Sequence, residues 1–280
     1  MRMLKKHGCS GQILIDVMLT VGLGMLLLSI LLDLYLASQR SLQLQNALIR
    51  MEDNARAALD ILTSEIHQAG YIGCPRLTDD FPVISHVEHS ISQKNKLTGS
   101  NADEIIIRHV EFPASVITAV SQDRNVISVS NVIRFSAGDL LFISDCRHAE
   151  IVRAESVNAG RFSQTVKLSH LLRYRFESDA EVSKFAANKF YLAKSRRFSA
   201  NGSPVFSLMM QDMNGRNTEM VAGIRKMQFL YSVYVGHTLK DMPANEIIDW
   251  AKVTGVVINL DAEFVLADKT WHAFVTVGSL

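Results

Sequence analysis

From Gln12 to about Ala37 the chain reads QILIDVMLTVGLGMLLLSILLDLYLA, an apolar run interrupted only by Asp16 and by Asp33 near its far edge. About 20 apolar residues cross a hydrocarbon layer of about 30 Å, so Ile13 to Leu36 is long enough to span one. Arg2, Lys5 and Lys6 stand in front of the run with no acid among them. A basic stub of this kind is held in the cytoplasm, which sends the chain beyond the run to the other side. A cleaved secretory signal has an apolar core of about 7–15 residues ending at small residues; this run is longer and closes on Asp33 and Tyr35. A lipoprotein signal needs its apolar stretch ahead of the cysteine, whereas Lys5, Lys6 and His7 precede Cys9. Both alternatives are set aside.

Composition narrows the character of the remaining chain. The 280 residues include 29 Lys+Arg against 28 Asp+Glu, three Cys, five Pro and 48% hydrophobic residues, which excludes a disordered chain, a collagen-like repeat, a disulfide-dense miniprotein and a polybasic nucleic-acid binder. One globular body remains, or two at most.

Asp16 is the anomaly of the run. An acid at the centre of a membrane helix costs about 2.5–3.5 kcal/mol and marks a functional position by default. Two arrangements relieve it. The residue sits near the cytoplasmic interface and stays wet, helped by the positive end of the helix dipole, or a cation from elsewhere compensates it.

The basic leader, Gly11, then Gln12-Ile13-Leu14-Ile15-Asp16 and an apolar helix resemble the type III signal of type IV prepilins. That resemblance implies cleavage after Gly11 by a prepilin peptidase at the cytoplasmic face, with Gln12 as the new terminus and the residue on which the family's methylation would fall. It places Asp16 fifth in the mature chain, where the family carries the acid that pairs with the terminal amine of a neighbouring subunit. Family members usually have Phe first and Glu fifth; this chain has Gln12 and Asp16, and Asp is shorter by one methylene. Loss of Arg2, Lys5 and Lys6 would leave two fewer bases than acids, so no basic field remains for DNA.

Beyond the membrane run, Leu44, Leu48, Met51, Ala55, Ala58, Leu59, Leu62, Ile66 and Ala69 recur at three- and four-residue spacing. They define one face of a helix. Arg40, Asn46, Glu52, Asp53, Arg56, Asp60, Glu65 and His67 occupy the opposite face. No Pro lies between Gly11 and Cys74, so the spacing predicts one continuous helix of about 55 residues, half in lipid and half packed on a domain. Gly70 and Gly73 supply its stop. Gly22, Gly24 and Ser29 leave the membrane half with small residues suited to packing against other helices.

The segments Arg50 to Asp60 (RMEDNARAALD) and Ile66 to Cys74 (IHQAGYIGC) narrow the resemblance to the PilW-like minor pilins. In these, an Asn-Ala/Gly-Arg-x-Ala-x-Asp pattern precedes an Ala-Gly-Tyr-x-Gly-Cys turn. The C-terminal third is similar in patches, at Met220 to Tyr231 and at Asp249-Trp250, although the chain finishes Val277-Gly278-Ser279-Leu280 without the family's Arg-Asn ending.

After Cys74 the pattern shifts to short β-type runs: 104–112, 115–121, 126–130, 139–144, 150–156, 164–168, 189–193, 205–209, 226–235, 254–263 and 271–277. Turn signals such as Gly99-Ser100-Asn101 and Asn158-Ala159-Gly160 separate them. A short helix is expected around 244–252. The expected fold is α+β and pilin-like. A long N-terminal helix, half membrane and half amphipathic, packs on a mainly antiparallel β-sheet. The expected divisions are a leader at 1–11, a transmembrane and polymerisation helix at 12–37, its amphipathic continuation at 38–73, and an extracytoplasmic β-rich domain at 74–280.

If Cys9 leaves with the leader, Cys74 and Cys146 remain, and in an oxidising compartment two cysteines permit one bridge or stay as two buried thiols. The stretch Gly138 to Cys146 (GDLLFISDC) resembles a PilW-like strand end, Gly-Asp-x-Leu-x-x-Ser-Asp-Cys. The resemblance favours the bridge.

Catalytic chemistry has little footing. His86-Val87-Glu88-His89 pairs two imidazoles three apart, not at the i, i+4 spacing of zinc peptidase helices, and no metal site is assigned. His109, His148, His170, His237 and His272 look scattered. No Gly-x-Ser-x-Gly, P-loop or GxGxxG motif occurs. Arg173-Tyr174-Arg175-Phe176 and Arg196-Arg197-Phe198 interleave bases with aromatics as a single-strand binder does, yet two short clusters on a near-neutral chain read as solvated strand faces, and direct nucleic-acid contact is not expected. The expectation is a non-enzymatic, cofactor-free minor pilin of the cytoplasmic membrane, incorporated in the pilus. Its partners would be major and minor pilins, the prepilin peptidase and the inner-membrane assembly machinery. A minor pseudopilin of type II secretion and a membrane-anchored extracytoplasmic enzyme or receptor are the alternatives.

Overall fold

The computed structural model describes residues 10–73, 77–198, 202, 204–262 and 269–277. The expected leader up to Cys9, Cys74 and the Gly278-Ser279-Leu280 ending lie outside these residues. Among the described residues one α-helix, α1 (Ser10–Gln68, 59 residues), comes first and β-strands follow it, so the α+β class stands. The chain divides between Glu52 and Asp53 into two compact units.

In the first unit every residue from Leu14 to Ser38 is exposed. The apolar positions Leu44 and Leu48, expected to start the buried stripe, are exposed as well. In the second unit the stripe behaves as its spacing requires. Ala55, Ala58, Leu62 and Ile66 are wholly buried, Leu59 is half-buried, and Asp53, Arg56, Asp60 and His67 face water. Asn54 donates to the Ala222 carbonyl (3.1 Å), and Asn188 donates to Glu65 (3.2 Å). The helix stops where Gly70 takes a φ of +80° and donates its N–H to the Arg108 carbonyl. A Cβ there would also come within 2.9 Å of the Lys96 side chain, so both conformation and space demand glycine.

The strands are β1 (Val83–Ser85), β2 (Leu97–Thr98), β3 (Glu104–Val110), β4 (Ser115–Val120), β5 (Val126–Ser130), β6 (Leu140–Ser144), β7 (Ala149–Ala159), β8 (Ser163–Leu168), β9 (Glu181–Phe198), β10 (Pro204–Gln211), β11 (Asn217–Ala222), β12 (Ile224–Val235), β13 (Thr238–Met242), β14 (Val253–Ala262) and β15 (Lys269–Thr276). Two 3₁₀ turns, Ala244–Glu246 and Trp250–Lys252, replace the single short helix expected there; the side chain of Asp249 caps the second by accepting from Ala251 N–H.

The antiparallel pairings β4–β5, β5–β8, β8–β7, β7–β6, β6–β9 and β9–β4 return to their starting strand, so these six strands close into a small barrel. Closure removes free edges. Ile117, Ile127, Val129, Leu141, Ile143, Val152, Val166 and Val182 fill its interior. Strand β6 is buried along its whole length. Alternation sends Leu141 and Ile143 into the barrel, while Leu140 and Phe142 join Ile72, Leu77, Ile91, Val110, Ile151 and Phe185 in a second cluster outside it.

Strand β9 is 18 residues long, far more than the 189–193 core legible in the sequence. Its first residues complete the barrel; from Phe185 onward it pairs with β3 and then with β10. A separate antiparallel sheet runs β13-β12-β14-β15. The parallel pair β1–β7 is the exception to antiparallel order.

Candidate functional site

Apolar composition and helical propensity make the first unit, and its surface is its principal chemical feature. At 1.5 Å per residue, Leu14 to Leu36 covers about 35 Å, slightly more than the hydrocarbon layer. This is one helix long and apolar enough to cross a membrane. Its two aliphatic hydroxyls are satisfied internally, Thr20 donating to the Val17 carbonyl (2.9 Å) and Ser29 to that of Leu26 (2.8 Å), as a lipid environment requires. A Cβ at Gly22 or Gly24 would meet nothing within 4 Å, so that flank of the helix is open. Gly11 and Gln12 lie in the first turns of α1. Asp16 is exposed and makes no ion pair or hydrogen bond with any described residue.

Of the two expected bridge partners, Cys74 lies outside the described residues. Their neighbours approach each other. A Cβ on Gly73 would lie 2.8 Å from Glu181 Oε2 and 3.9 Å from Ser144 Oγ, and Cys146 follows Ser144 by two residues. Gly73 therefore lies over the β6–β9 junction, where Ser144 and Glu181 are register partners.

The second constellation is polar. Strand β1 lies beside β7 with Ile84 opposite Glu150, and the His86 N–H donates to the Ile151 carbonyl (2.9 Å). This sets His86 Nε2 2.6 Å from Oε2 of Glu150, whose side chain has no solvent exposure. The other oxygen of Glu150 accepts the Tyr174 N–H (2.6 Å). His170 stacks on His86 at 5.4 Å between ring centroids, and His148 stacks on Tyr174 at 4.0 Å. His148 Nδ1 is 2.7 Å from Asp145 Oδ1, an oxygen that also accepts the N–H groups of Arg147 and His148.

Histidines that look scattered in sequence thus converge, and the reason is strand pairing: β1, the β6–β7 turn and the segment after β8 meet on one wall. No spacing rule could have found them. Chemically the cluster fastens three segments to the barrel, since a buried carboxylate needs such partners. Within His86-Val87-Glu88-His89, Glu88 is exposed and His86 turns to Glu150. No group of three or more potential metal ligands occurs among the described residues.

Burial perturbs a few other groups. Lys96, packed over Gly70, has its ammonium pulled below the ordinary range by desolvation, with Asp79 opposing. The Tyr231 phenol is pushed up, first by burial and then by the Glu104 carboxylate. Its hydroxyl has no hydrogen-bond partner among the described residues. No protein-family model, curated protein or solved structure matches this chain.

Proposed function

We propose that the chain is a minor pilin of the PilW-like kind, cut after Gly11 and built into the initiating or tip complex of a type IV pilus through its N-terminal helix. One observation carries this reading: a helix that can span the membrane, apolar on every side, holds the carboxylate of Asp16 with no partner among the described residues. A monomeric membrane anchor gains nothing from such an acid, whose cost rises to about 2.5–3.5 kcal/mol toward the centre of the hydrocarbon layer. A subunit that packs against others gains a contact that forms only when a neighbour brings an amine. Cleavage after Gly11 would create that amine at Gln12.

The same reading pairs Cys74 with Cys146. It is supported by the approach of Gly73 to Ser144 and gives the β-rich domain a covalent tie at the point where the helix ends. The domain would stand on the extracytoplasmic side of the cytoplasmic membrane.

Intact mass and N-terminal sequencing of protein extracted from membranes test the route: a chain beginning at Gln12 supports it, and one beginning at Met1 excludes it. Asp16→Asn tests the mechanism. The variant is expected to insert in the membrane at normal levels while pilus number falls sharply. Piliation and incorporation equal to those of the parent protein would refute the role of the acid.

A further inference from the structure

Strand β15 is the outer edge of the β13-β12-β14-β15 sheet, pairing with β14 alone among the described residues. Proteins blunt exposed edges with charge, Pro or a bulge. The outer strand β13 carries Lys240 and Asp241, and β11, at the end of the larger sheet, carries Glu219. Strand β15 has its single charge at its first residue, Lys269; from Thr270 to Thr276 it reads TWHAFVT, with no Lys, Arg, Asp, Glu or Pro, and its pairing with β14 runs without a register shift. Phe274 is exposed on this strand, its ring lying over Gly255, where a Cβ would come within 2.7 Å of it.

The direction of the free main-chain groups is set by one hydrogen bond. Val277 N–H donates to the Thr254 carbonyl, in the same register as the rest of the pair. Alternation along an antiparallel strand then turns the N–H and C=O of Thr270, His272, Phe274 and Thr276 outward.

We propose that β15 pairs antiparallel with β15 of a second copy of this chain about a two-fold axis through Ala273. In that register Thr270 meets Thr276, Trp271 meets Val275 and His272 meets Phe274, and each of the outward-facing residues exchanges both main-chain bonds with one of the others. Thr–Thr, aromatic–β-branched and aromatic–aromatic pairs are favourable cross-strand neighbours. Charge favours this occupant: in that register Lys269, the strand's one charge, falls opposite Val277 and meets no like charge, whereas β13 paired in the same way would set Lys240 against Lys240. The contact is isologous, so it closes at two copies.

The test uses the full chain in detergent micelles. Thr270→Cys and Thr276→Cys are made separately, both at exposed positions. Paired residues in this register lie about 5.5 Å apart at Cα, within disulfide range. Under mild oxidation, mixing the two variants is expected to raise the cross-linked dimer several-fold above either variant alone, each of which contains the same native cysteines. Adding Phe274→Lys to both is expected to abolish the gain. As a second measurement, amide exchange of His272 and Phe274 in the unmodified chain is expected to slow as protein concentration rises. Equal cross-linking in mixed and single samples, cross-linking confined to the single variants as parallel pairing would give, or concentration-independent exchange overturns the proposal.

Discussion

His86 and Glu150 meet at 2.6 Å across the β1–β7 pair, and the carboxylate has no contact with solvent. The pair is asymmetric in what its loss would do. His86→Ala strands a buried carboxylate whose remaining partner is the Tyr174 N–H, and removing one member of a buried pair costs about 3–5 kcal/mol. Urea denaturation should register a loss of that size for His86→Ala, and a smaller one for the double replacement His86→Leu with Glu150→Met, which leaves no charge behind. Equal losses would show that packing, not charge, dominates.

Gly99 and the Tyr231 hydroxyl are in direct contact, so a side chain at 99 has no room. Gly99→Ala is expected to destabilise by about 1–3 kcal/mol through overpacking. Tyr231→Phe removes a hydroxyl that has no partner among the described residues, and is expected to be neutral or stabilising by itself. It should also recover much of the Gly99→Ala loss. A double-mutant cycle read by thermal or urea denaturation checks this, and additive effects would contradict the contact.

Tyr231 also predicts an alkaline response. Its ionisation in the fold lies above the ordinary tyrosine range, so above about pH 10 the unfolded phenol has released a proton that the folded one keeps. The contribution is complete below that pH and falls by about 1.4 kcal/mol per unit as pH rises toward the folded value. Denaturation midpoints measured at about pH 9, 10 and 11 should fall less steeply for Tyr231→Phe than for the parent chain.

Gly70 and Gly22 provide an internal contrast. At Gly70 both the φ of +80° and the Lys96 stem oppose a side chain, and Gly70→Ala is expected to cost about 1–3 kcal/mol. At Gly22 the flank is open. Gly22→Ala should leave the stability of the β-rich unit unchanged, so any defect it produces in membrane assembly reports on contacts with other chains. Thermal denaturation of both variants, alongside, for the proposed pilin role, pilus counts for Gly22→Ala, separates the two.

Strong local patterns were readable in the sequence. The apolar run, the stripe through Ala55, Ala58, Leu62 and Ile66, and the glycine stop all come from spacing along a single element. Strand β5 coincides with its expected span, because VISVS alternates and turns flank it. Where neighbours decide, the pattern fails. The first half of β9, EVSKFAAN, looks weak as a strand but is held by β6 on one stretch and β3 on the next. The polar strands β11 and β13 gain their conformation from β10 and β12. Leu44 and Leu48 keep the helical period without burial, since periodicity records a face and not what covers it. The polar constellation was invisible for a related reason: His86, His148 and His170 share no element, and only the closed barrel brings their strands to one wall.

The length of β9 carries a consequence for anyone rebuilding this protein. Residues between β4 and the start of β9 could be mistaken for a detachable insert, yet the stave that closes the ring continues as the plank flanked by β3 and β10. Excising the ring would fray that plank at its root, and grafting the ring elsewhere would leave it gaping. The two must be inherited, and lost, together.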